Sequence, residues 1–139
     1  MDNRMKLYPT YQGKTVILAP QERIDHVNAD SFQQALVPFL RLCHPHGQSI
    51  LLDFSAIPQI SSVGLRVLML AQKQVKAQGG ELAIAALQPE VREVFEISRF
   101  HASLRLFYSR ANALLAFSPE LNEVAAWICI FGVPVVPYP

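Results

Sequence analysis

Ser61 and Ser62 stand at the junction between an apolar, strand-like run and a long helix-forming stretch, and Arg66 follows Ser62 by four residues. A serine at a helix start lies beside unpaired backbone N–H groups and the positive end of the helix dipole, so this is a natural place for an anion. A phosphate on Ser62 would add about −1.5 to −2 charges, and Arg66 at i,i+4 spacing is within reach of it. The plain alternatives are that Ser61 or Ser62 merely caps the helix, and that Arg66 is a solvated residue on an otherwise buried helix.

Other residue groups promise less. Ser62-Val63-Gly64 offers half of a hydrolase elbow, but Ile60 stands where that turn needs glycine. His26, His44, His46 and His101 have no spacing that singles out a base for Ser62. Cys43-His44-Pro45-His46 gathers three ligand types without a second ligand pair at zinc-site spacing, so it reads as a helix-ending loop and no metal is expected. Gly79-Gly80 lacks the Lys-Ser/Thr of a phosphate loop and reads as a turn. Asp25 and Asp53 are taken as structural carboxylates, and no cofactor is expected.

The elements that must position Ser62 follow from periodicity. Residues 6–12 and 15–18 read as two strands around Gly13-Lys14. Asp30 with Gln33 gives a capping-box-like start to a helix carrying Phe32, Leu36, Leu40 and Cys43, with a kink or early stop expected at Pro38. Residues 49–54 form a near-continuous apolar run, the mark of a central strand buried on both faces. Residues 62–78 are helical, with Arg66, Lys73 and Lys76 on a narrow stripe and the rest expected to be covered. Leu82 and Ile84 mark a further strand, and Pro89 opens a helix with Val91, Val94 and Phe95 inward. Residues 104–108 have strand character, and Ser109 can cap a short helix after them. Strand and helix alternate, so the fold class is α/β: one domain with a central, mainly parallel sheet and helices packed against it.

Ser118-Pro119-Glu120 begins an additional apolar C-terminal helix, followed by an extended tail, so residues 118–139 form an appendage to a domain of residues 1–117. Trp127, Ile128, Ile130 and Phe131 there serve either core packing or contact with a partner or a second copy, the latter a homodimer through this segment.

Composition narrows the function classes. Of 139 residues, 51% are hydrophobic and 17% charged, enough for one core and against disorder. Twelve Lys and Arg oppose eleven Asp and Glu without a basic run, which argues against nucleic acid as a partner. Cys43 and Cys129, far apart in a chain that needs no disulfide to fold, read as free thiols. With neither a secretory leader nor an apolar run of membrane-spanning length, a cytoplasmic protein without direct membrane insertion is expected.

The segment from Leu51 to Leu68, LLDFSAIPQISSVGLRVL, resembles the central strand, loop and helix start of STAS domains, including bacterial anti-sigma factor antagonists. The resemblance extends less sharply from Tyr11 to Phe117, through Arg23-Ile24-Asp25 and Gly79-Gly80-Glu81-Leu82. The family loop usually reads Asp-Ser-Ser/Thr-Gly-Leu, and Ser62 holds the place of the serine phosphorylated in switching members. Ser61 replaces the usual aspartate and Val63 the usual second hydroxyl residue. The resemblance implies a non-enzymatic regulator that binds a kinase-type anti-sigma factor through Ser61, Ser62, Val63, Gly64, Leu65 and Arg66 and is switched by phosphorylation of Ser62. The absent aspartate favours the alternative, a non-phosphorylated scaffold subunit of a membrane transporter or other signalling assembly.

Overall fold

The computed structural model describes residues 5–99 and 104–117. Residues 118–139, with the predicted fifth helix, the tail and the dimer contact, lie outside them. The elements run β1 (Thr10–Gln12), β2 (Thr15–Leu18), α1 (Ala29–Arg41), β3 (Ser49–Asp53), α2 (Ser62–Ala77), β4 (Leu82–Ala85), α3 (Pro89–Ile97), β5 (Arg105–Phe107) and α4 (Arg110–Phe117).

The five strands lie in sequence order across one sheet, β1 antiparallel to β2 and every later pair parallel. Three crossovers, carrying α1, α2 and α3, therefore advance in the same direction. Right-handed crossovers that all step the same way put their helices on one face. Phe32 and Leu36 of α1, Leu65 and Leu68 of α2, and Val91 and Phe95 of α3 accordingly share a core with Val16, Leu18, Ile50, Leu52, Leu82 and Ile84. The alternate strand residues Ile17, Leu51, Ala83, Ala85 and Phe107 face the other way, against Ala113 and Leu114 of α4. The alanines on β4 leave room for α4 to lie close to the sheet.

Three local outcomes differ from the pattern read in the sequence. The first strand is shorter, because Tyr8 adopts φ +46° before Pro9, which has no N–H for a ladder; Leu7 instead accepts a bond from the Ala19 N–H at 2.6 Å. The first helix starts at Ala29 after Asn28, not with a capping box at Asp30, since Asn28 and Asp25 interlock in a turn that fixes the entry. That helix also runs through Pro38 to Arg41. Pro38 and Gln34 are both exposed, and a proline is best tolerated on the solvent side of a helix, where water can replace the partner that the Gln34 carbonyl loses. Pro89 at the first helical position and the Ser109 Oγ accepting from the Asn112 N–H at 3.1 Å match expectation.

Candidate functional site

At the carboxyl edge of the parallel strands the chain leaves β3 through residues 54–61 and enters α2. Phe54, Ile57 and Ile60 plug that loop into the core at three-residue spacing. Its base is tied twice: the Asp53 Oδ1 accepts from the Ser55 N–H at 2.9 Å, and the Gln88 side-chain amide donates to the Ser55 carbonyl at 2.7 Å. Its far end is held by the segment before α1. Ile24 N–H donates to the Gln59 carbonyl at 3.0 Å and Ser61 N–H donates to the Ile24 carbonyl at 2.8 Å, a one-bridge parallel pairing.

Ser61 is the N-cap. Its backbone is extended (φ −93°, ψ 172°) and its Oγ accepts from the Gly64 N–H at 3.3 Å. The capping role thus belongs to Ser61 and not to Ser62, whose side chain is exposed on the first turn and makes no hydrogen bond among the described residues. Val63 and Arg66 are also exposed, whereas Gly64 and Leu65 point inward, Leu65 only 2% accessible. Gly64 is where two loops meet the helix: a Cβ there would lie 2.7 Å from Ile24 Cγ2 and 2.8 Å from Ile60 Cγ1. The absent side chain accommodates the protein's own loops.

The 23–28 segment is stiffened by its own polar groups. The Asp25 carboxylate accepts from the N–H groups of Val27 at 2.9 Å and Asn28 at 3.3 Å and pairs with Arg23 at 3.1 Å, while Asn28 Nδ2 donates to the Arg23 carbonyl at 2.6 Å. Desolvation works to raise the Asp25 pKa, but these backbone donors and the Arg23 charge outweigh it, leaving the group below its ordinary 3.8. Arg23, Asp25, Gln59, Ser61, Glu90 and Val94 border an open cleft of about 310 Å³ beside the start of α2.

A further tie on the loop base, between Asp53 and Arg110, has no signal in the sequence. Arg110, first residue of α4, donates through Nε at 3.1 Å and Nη2 at 2.6 Å to Oδ2 of Asp53, which is 7% accessible. Burial works to raise the Asp53 pKa, but the Ser55 N–H and the Arg110 guanidinium prevail and hold it below 3.8. No local pattern announces a partner fifty-seven positions away. Among the described residues no three His, Cys, Asp or Glu side chains converge as metal ligands, and Cys43 is buried with its thiol donating to the Glu81 carbonyl at 3.2 Å. No described helix is long and apolar enough to cross a membrane.

The STAS domain profile matches residues 8–113, most of the chain. The chain belongs to the STAS domain family. Over 72 residues it is 44% identical to BtrV of Bordetella bronchiseptica, described as a candidate anti-sigma factor antagonist; the match takes in 52% of this chain and 62% of that relative, less than two thirds of its length. A candidate anti-sigma factor antagonist of Thermotoga maritima superposes with a TM-score of 0.70 at 21% identity, covering 78% of this chain and 91% of its own. SpoIIAA of Bacillus, in its phosphorylated form, gives a TM-score of 0.58 at 15% identity over 78% of this chain and 96% of its own. These two likenesses establish the shared STAS fold.

Proposed function

We propose that this STAS domain is a non-enzymatic anti-sigma factor antagonist that binds a kinase-type anti-sigma factor through the surface around Ser62 and is switched by phosphorylation there. The observation that carries the reading is the division of labour between the two serines: Ser61 caps α2, and the Ser62 hydroxyl stands exposed on its first turn with no hydrogen bond among the described residues. The name of BtrV supports the functional class, and SpoIIAA is a STAS-fold protein with a phosphorylated form.

Partner contact on this reading falls to Ser62, Val63 and Arg66, with Ser61, Gly64 and Leu65 setting the loop beneath them. A phosphate on Ser62 sits at the favourable end of the helix dipole with Arg66 one turn away, so the phosphorylated fold persists. Docking is what suffers: the phosphate must be desolvated at the interface, and any facing acid repels it. A penalty of about 4 kcal/mol is roughly a thousandfold in affinity. The aspartate usual before this serine would cap α2 as Ser61 does, so the substitution keeps the cap and removes one negative charge.

The test is to incubate the chain with Mg-ATP and the kinase-type anti-sigma factor encoded nearest to it, locate phosphate by mass spectrometry and measure binding of each form. Phosphate on Ser62 with loss of binding supports the proposal. Unmodified Ser62, or a complex unchanged by both Ser62→Ala and Ser62→Glu, sinks it and favours the scaffold alternative.

A further inference from the structure

The sequence pattern calls for α2 to be largely covered, yet Val63 and Leu70 remain 43% and 46% accessible. With Ala77, also exposed, they stand at seven-residue intervals, so at about 100° per residue they form one ridge along the outward side of the helix. Ser62, Arg66, Lys73 and Lys76, all exposed, fall on the flank next to that ridge. No acidic residue occurs in α2, and among the described residues none of its three cations is in an ion pair. The acids gather instead on α3, where Glu90, Glu93 and Glu96 accompany a single Arg92. The outward face of α2 is therefore a shallow apolar ridge with a cationic border.

We propose that the element docking on this face is an amphipathic helix of a partner protein with an acidic flank, laid along α2 from Ser62 to Ala77. This rests on the reading of Ser62 as the switch. An apolar ridge with two-turn periodicity matches the groove of another helix, and one sign of charge along its border selects the opposite sign. A lipid surface fits less well: the ridge has no aromatic anchor, and its two large side chains are half-sunk in a helix fixed to the sheet, short of the depth by which interfacial helices insert. Ser62 lies at the head of the cationic flank, four residues before Arg66. A phosphate there neutralises the border and opposes the partner's acids.

Fluorescence anisotropy with two labelled helical peptides tests this, both with one Leu/Ala ridge, one flanked by Glu and the other by Lys. The Glu-flanked peptide should bind at least about tenfold tighter, and more weakly as salt rises. Arg66→Glu with Lys73→Glu should abolish or reverse the preference, Leu70→Asp should weaken both peptides, and Lys14→Glu, at the β1–β2 turn, should leave the preference intact. Equal or absent binding of the two peptides, indifference to the charge reversal, or stronger binding to phosphatidylserine vesicles than to either peptide overturns the inference. The same variants against the anti-sigma factor separate the two readings. If Ser62→Glu weakens that complex and the Arg66/Lys73 reversal does not, the switch stands and this docking mode falls. If the anti-sigma factor never binds, the switch falls and the peptides still decide the docking mode.

Discussion

Replacing Gly64 with alanine pits two opposite effects of known size against each other. Alanine gains up to about 1 kcal/mol over glycine in a helix, less in the first turn where Gly64 sits. Against this, the added methyl lands 2.7 Å from Ile24 Cγ2 and 2.8 Å from Ile60 Cγ1, and neither atom is the free end of a flexible chain. Ile24 and Ile60 are both buried and belong to separate loops joined by hydrogen bonds at Ser61 and Gln59. Overpacking of this kind costs about 1–3 kcal/mol. The clash should win by about 1 kcal/mol, lowering Tm by about 4 °C in a domain of this size. Urea denaturation of Gly64→Ala, Ile24→Ala and the double variant provides the measurement. Because the truncation removes the Cγ2 contact, the double variant should be more stable than the sum of single effects by at least about 0.5 kcal/mol. A Gly64→Ala protein more stable than the parent, or strictly additive effects, refutes the packing argument.

Three further outcomes follow from the same geometry. Ser61→Ala should cost about 1 kcal/mol by loss of the cap, Ser62→Ala should stay within about 0.5 kcal/mol, and Ser61→Asp should keep the cap and gain a few tenths of a kcal/mol from the dipole, all read from thermal melts. Asp53→Asn weakens the Arg110 bond and should cost about 2 kcal/mol at pH 7. The Asp53 pKa is depressed on folding, so its contribution is present above the ordinary 3.8 and disappears as pH falls through the lower folded value; urea midpoints of parent and variant should converge as the acid titration proceeds below 3.8. Burial pushes the Cys43 thiol pKa up and hides it, so iodoacetamide should label Cys43 slowly in the folded protein and fast in urea, followed by peptide mass spectrometry.

Much of this architecture is legible in the chain because local signals agree with the tertiary outcome. The run at residues 49–54 marks a strand covered on both faces, Pro89 marks a helix start and Ser109 a cap, and each does so through physics confined to a few neighbours. The STAS resemblance placed Ser62 at the strand-to-helix junction, and that is where it lies. Which of two adjacent serines caps is not legible, since either type serves and the choice depends on the Ser61 N–H being drawn to the Ile24 carbonyl from a distant loop. The roles of Gly64 and Arg110 are not legible for the same reason: one depends on Ile24 and Ile60 converging, the other on Asp53 being brought across the sheet. The half-exposed Val63 and Leu70 were hidden by composition, because an apolar helix reads as covered until its neighbours are placed.

The nearest-neighbour order of the strands also bears on how the protein is made. Each strand pairs with the one just translated, so a ribosome-bound chain can add β3 to β2 and β4 to β3 as they emerge, without reserving a gap for a later arrival. At every stage the growing rim is the newest strand, and among the described residues the sheet ends in β1 and β5, each only three residues long. Such short rims give stray polypeptides little to template on, during synthesis or after it.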